Sequence, residues 1–211
     1  MATPPTLLTP IDQVSEALAA LIRRDVLANS TDIDISLDAP DRDFVSKLSQ
    51  RPVVNLYLAS LRENIARRQS DPFEVYQRRP RQSEVELQSR PRFIELNYML
   101  TTWVAARTNR ALVEQQLMSR LVQGLAAQPL LPADLEQQFG LKSGSWGIQI
   151  ELLVERERTQ RQGDYWTALG AAPKPILETS VTIPVAEGGL GTVPMVVRGV
   201  GSVSHLPEKK P

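Results

Sequence analysis

Arg90–Trp103 reads RPRFIELNYMLTTW, and its middle alternates. Ile94, Leu96, Tyr98 and Leu100 share one side, while Glu95 and Asn97 share the other. A two-residue period is the signature of a strand with one face in a core. The pattern predicts a strand from Arg92 to Thr102, with its apolar face inward and Glu95 and Asn97 toward solvent.

The segments around it follow the same logic. PVVNLYLASLR, Pro52–Arg62, is apolar almost throughout and fits a central strand covered on both faces. Asn55 interrupts it, and a buried amide needs partners, so its role is read as structural. Downstream, Trp146, Ile148, Ile150, Leu152 and Val154 alternate with Gly147, Gln149, Glu151, Leu153 and Glu155. Ile176–Val185 repeats the pattern, and Pro184, which has no N–H, predicts that this strand lies at an edge or stops there. Ile33, Ile35 and Leu37 alternate with Asp34 and Ser36 and mark a further short strand.

Helical periodicity frames these strands. Thr9 as N-cap and Pro10 in the first turn open a helix to Leu27, whose inner face is Ile11, Val14, Leu18, Leu21 and Ile22. A second helix is expected over Thr108–Leu125, with Leu112, Val113, Leu117, Leu121, Val122 and Leu125 inward and Glu114 and Gln115 outward. Pro132–Phe139 reads as a short helix, and Gly163-Asp164 caps another through Trp166 and Leu169. Interspersed strands and helices without a βαβ rhythm predict an α+β domain. The simplest form is a mostly antiparallel sheet of about four or five strands with helices packed on one face.

Two segments stand outside that pattern. Gln69–Arg92 is long and polar, with Arg78, Arg79, Arg81, Arg90 and Arg92, and reads as a functional excursion between two strong strands. After Val185 the sequence AEGGLGTVPMVVRGVGSVSHLPEKKP turns rich in glycine and valine. The expected division is a domain over residues 1–186 and an extended C-terminal arm over 187–211. The candidate interface residues are Arg78, Arg79 and Arg81 in the excursion and Val193, Met195, Val197 and Arg198 in the arm. An extended arm can add a strand to a neighbouring sheet, and that suits assembly.

The 211 residues carry 24 basic and 24 acidic side chains, so no global charge draws the chain to nucleic acid or an anionic surface. Cysteine is absent, which removes disulfides and thiolate metal sites. The first residues lack the basic and apolar regions of a secretory signal, and no apolar run is long enough to span a bilayer, so cytoplasmic folding is expected.

The chemical motifs are thin. Asp32, Asp34, Asp38, Asp41 and Asp43 lack the glycine and glutamate spacing of a calcium loop and read as a solvated strand face. Gly140–Ser143 and Gly199–Gly201 resemble fragments of phosphate-binding loops without their setting and read as turns. His205, the single histidine, lies near the end, so neither a Ser–His pair nor a zinc set is expected. Glu95, Glu151 and Glu178 fall on polar strand faces and read as solvated or inter-subunit ion pairs. No catalytic residue, metal or cofactor is expected.

The chain resembles the cap, or tail-terminator, proteins of extracellular contractile injection systems, the phage-tail-like particles. The resemblance is carried by Pro52-Val-Val-Asn55-Leu-Tyr-Leu58 with Arg62-Glu63-Asn64, and by Glu95-Leu-Asn97-Tyr98-Met-Leu100-Thr101. Gln116-Leu117 opens a matching stretch through Leu121 to Pro129, and Trp166-Thr-Ala-Leu169 precedes the last strand. Order and spacing match from Ile11 to Val185; Ala171-Ala-Pro-Lys-Pro175 departs from the aromatic-containing stretch common in the family. The resemblance implies a non-enzymatic hexameric ring at the distal end of tube and sheath. There it would stop polymerisation and tie the last rings together, assembled in the cytoplasm within a particle that is released or anchored. Other readings of the residues are a neck or tail-completion connector and a polyanion-binding module built on Arg78–Arg92.

Overall fold

The computed structural model describes residues 9–67, 73–76, 84–89, 91–105, 109–153, 164, 166–185 and 190–194. Eight strands are β1 (Asp34–Ser36), β2 (Val53–Glu63), β3 (Phe73–Tyr76), β4 (Glu84–Ser89), β5 (Arg92–Trp103), β6 (Gln149–Leu153), β7 (Leu177–Val185) and β8 (Leu190–Pro194). The helices are α1 (Ile11–Leu21), α2 (Arg42–Ser46), α3 (Arg110–Ala126) and α4 (Ala133–Gln138).

The chain divides into two compact units, residues 1–70 with 91–187, and residues 71–90 with 188–211. The first holds a five-stranded sheet in the order β1-β2-β5-β7-β6, antiparallel except for the parallel β1–β2 pair. The expected α+β class is present, and RPRFIELNYMLTTW supplies its middle strand. One sheet face packs against α1, α3 and α4. Val14, Leu18, Leu21, Leu117, Leu121, Leu125 and Leu135 meet Val54, Leu56, Leu96, Leu100, Ile150, Val181 and Ile183 there. Each such side chain contributes about 1.5–3 kcal/mol relative to exposure. Tyr98 is buried in the same layer, and its hydroxyl lies 2.8 Å from Ser15 Oγ on α1. Burial pushes that phenol up, against the Ser15 hydrogen bond.

The reverse face carries a second cluster at one end of the sheet. Val53, Trp103 and Trp166 pack with Phe44 of α2, Leu48, Leu169 and Ile176. Trp103 meets Phe44 and Trp166 edge to face, at 5.5 and 6.2 Å between centroids. Helical structure is thus found on both faces, not on one alone.

Several local expectations change. The first helix begins as read, but Thr9 is not its cap: Thr9 Oγ1 donates to Pro184 O at 2.8 Å and ties the helix entry to β7. Past Leu21 the helix widens into a π-helical segment, Ile22–Val26, and ends on Ala28 and Asn29, both at positive φ. Pro184 does not mark an edge strand; the other alternative holds, since β7 stops one residue later, at Val185. β7 lies between β5 and β6, and Pro184 falls beyond Thr182, where pairing with β6 ceases, so its missing N–H costs no ladder bond to β6. On α3, Leu112 and Val122 are exposed, whereas Glu114, expected outside, is half-buried.

The second unit is a three-stranded antiparallel sheet, β3-β4-β8. The polar excursion therefore contains a β3–β4 pair, and Leu190–Pro194 runs against Glu84–Gln88.

Candidate functional site

The polar face of β5 is the largest departure from the sequence reading. Glu95, Asn97 and Thr101 are buried, as are their neighbours Ser180 and Thr182 on β7. β5 is third of five strands, so residues of β2 and β7 flank each of its polar side chains on both sides. The polar groups are served across the strands. Arg62, opposite Glu95 on β2, donates from Nη2 to Glu95 Oε1 at 2.7 Å. Asn97 Nδ2 reaches Ser60 Oγ at 3.4 Å, just past the bulge between Leu58 and Ser60. Thr101 Oγ1 donates to Asn55 Oδ1 at 3.4 Å and accepts from Trp103 Nε1 at 2.8 Å. Asn55 Nδ2 donates to Asp38 O at 2.7 Å and to Ser36 O at 3.4 Å. This chain of bonds runs from β5 to the sheet edge, and Asn55 has the structural role read from the sequence. Asn97 Oδ1 and Ser180 Oγ, directly opposed in register, are buried without a hydrogen-bond partner.

A second node lies at the Trp103 end of the sheet. Glu114 Oε1 accepts from Lys174 Nζ at 2.6 Å, Arg110 Nε at 2.9 Å and Val104 N–H at 3.1 Å. Lys174 Nζ also donates to Thr102 O at 2.6 Å and lies 4.1 Å from the Trp103 ring centroid. Burial works against the Glu114 charge, but bonds and charges from Lys174 and Arg110 outweigh it and hold the carboxyl below the usual glutamate range. Burial pushes the Lys174 ammonium down, and Glu114 restores only part of the loss. Beside this node runs a groove of about 550 Å³ lined by Thr102, Ala111, Met118, Val122, Lys174 and Pro175. Sequence reasoning missed both residues. The available signal was Pro173-Lys174-Pro175, where two fixed φ angles hold the backbone around one lysine.

The remaining candidates divide simply. The aspartates serve local structure: Asp41 caps α2 by accepting Phe44 N–H at 2.8 Å, Asp38 accepts Ser36 Oγ at 3.0 Å, and Asp34 pairs with Arg51 at 3.7 Å. Among the described residues no three His, Cys, Asp or Glu side chains are grouped to hold a metal ion. Gly140 sits at positive φ in the turn after α4, as a turn requires. Glu151 is exposed, whereas Glu95, read as solvated or inter-subunit, is buried and paired within the chain. Trp146 packs edge to face on Phe93, whose ring also takes the Arg67 guanidinium at 4.9 Å. Val193 lies on β8 with its backbone paired to Val85. Arg78, Arg79, Arg81, Met195, Val197, Arg198, Gly199–Gly201 and His205 lie outside the described residues.

Residues 13–198 match the family model for the Pvc16 N-terminal domain. The chain belongs to this family. Among solved structures, this Pvc16 N-terminal domain is similar to a PVC sheath/tube terminator of an extracellular contractile injection system in its extended state. The identity is 22%, the TM-score 0.63, and the match covers 96% of this chain and 66% of that one. It is also similar to the anti-feeding prophage cap, a tube-terminating cap, at 20% identity and TM-score 0.59, over 97% of this chain and 63% of that one. The chain thus spans under two thirds of the length of the chains it matches. A comparison with curated proteins finds no match. Among the described residues no helix is long and apolar enough to cross a membrane.

Proposed function

We propose that this Pvc16 N-terminal domain is the structural part of a terminator that ends tube and sheath growth in a contractile injection particle. The observation that carries the reading is the fold, which matches a sheath/tube terminator over 96% of this chain. The interior agrees with it. Glu95 and Thr101 of β5 are bonded into the sheet, and Glu114 is held in a structural node, so the chemistry visible here serves rigidity. We further propose that copies close into a ring, six being the number the resemblance implies, and that no reaction is catalysed. Stacked rings present heterologous faces that never close by themselves, so a terminator must match the last ring on one face and offer no next site on the other. The β3-β4-β8 sheet and the residues beyond Pro194 are proposed as the contact-making part, with Arg78, Arg79, Arg81, Met195, Val197 and Arg198 among the contacts.

The test is to add the purified protein to polymerising tube and sheath proteins and image the products. Shorter, uniform particles with density at one end are expected, and light scattering of the isolated protein should give about six protomers. Unchanged length distributions reject the reading.

A further inference from the structure

The node around Glu114 joins parts of the chain that are far apart in sequence. Its carboxylate binds the first turn of α3 through Arg110, the exit of β5 through Val104, and the segment leading into β7 through Lys174. Lys174 is enclosed. Its side chain is 9% exposed and surrounded by Trp103, Thr102 O and Glu114. Of its three neighbours only Glu114 is an anion. A buried ammonium that loses its counter-ion is strongly disfavoured, and a lysine stem can swing its head to water. Lys174 and Pro175 also form one wall of the groove against α3. Lys174 ties that wall to α3 through Glu114, while Ala171 and Ile176 at its ends pack against the Val53, Trp103 and Trp166 cluster.

We propose that the Glu114–Lys174 pair is a conformational latch: once Glu114 is neutral, Lys174 leaves Trp103 and residues 171–176 part from α3, opening the apolar groove between them. Among the described residues the charged groups facing Glu114 are Lys174 and, on its own helix, Arg110; the end of β5 presents the Thr102 hydroxyl and, just beyond it, the Val104 N–H. Arg110 is half-exposed and stays solvated when the carboxylate is lost. The sign follows from the carboxyl. Its affinity for a proton is depressed in the folded state, so its stabilisation is full above the ordinary glutamate range. That stabilisation disappears as pH falls through the lower, folded value. The latch therefore opens on the acid side of the ordinary glutamate range, ahead of general unfolding.

Hydrogen exchange of the full chain, corrected for intrinsic rates, tests this. Glu114→Gln at pH 7 should speed exchange at least tenfold in residues 110–115 and 171–176 and leave the centres of β5 and β7 as in the parent protein. Lys174→Met added to Glu114→Gln should restore protection, because no cation remains to be expelled. In the parent protein, acidification should shift tryptophan emission and open the same two segments first. Parent-like protection in Glu114→Gln overturns the proposal, as does a double variant no better protected than the single one. If Glu114→Gln does not fold, the acid titration of the parent decides: simultaneous loss of protection throughout the sheet rejects the latch.

Discussion

Asn55 is fully buried, and all three of its hydrogen bonds are made within the sheet region: two to the carbonyls of Ser36 and Asp38, one from Thr101. Its amide replaces backbone pairing at the point where the short β1 ends. Replacing it by alanine leaves both carbonyls and the Thr101 hydroxyl without that partner, at a cost of about 1–3 kcal/mol. Asn55→Ala should lower the urea midpoint of unfolding with an unchanged slope. An unaltered midpoint would mean that water serves these groups equally well. Glu95 makes a different point at the same scale. Its charge sits inside because Arg62 stands directly opposite on β2, a pairing set by the bulge after Leu58 and hidden from any reading of one strand at a time.

At the scale of elements, α3 and the π-helical end of the first helix approach each other closely because Gly124 has no side chain. A Cβ there would lie 2.6 Å from Val26 Cγ2. Val26 is stiff at χ1 and held in the π segment, so it cannot step aside cheaply. Gly124→Ala should therefore destabilise the protein by about 1–3 kcal/mol despite the better helix propensity of alanine; a thermal melt with a raised midpoint would refute this. Strands were legible where alternation met length: β6 and β7 fall inside the stretches read from periodicity, and β5 runs one residue past its own, to Trp103. The inner stripe of α3 was legible at Leu117, Leu121 and Leu125, because leucines four apart can share only one face. What periodicity could not convey was neighbourhood. Polar residues of β5 looked solvated because alternation separates two faces without saying whether the second is also covered. Thr9 looked like a cap because nothing local shows that Pro184 O lies within reach. Lys174 and Glu114 are separated by 60 residues, and no local pattern links them.

At the scale of the molecule, the five-stranded sheet is complete within residues 34–185, and the strand that follows, β8, belongs to the other sheet. A chain ending at Ala186 should thus retain the first unit and lose the third strand of the second. We expect parent-like protection from hydrogen exchange in β2, β5 and β7, with loss of control over tube and sheath length. A truncated chain that still limits particle length would remove the second unit from the proposed function.

The pairing of β4 with β8 also fixes an order of events during synthesis. Glu84 meets Pro194, and every residue of the five-stranded sheet beyond β2 is translated between them. β8 follows β7 after only residues 186–189, so the two sheets receive their last strands almost together. Until β8 is made the β3–β4 pair has an open border on β4, so the smaller sheet cannot be completed before the chain has reached Pro194.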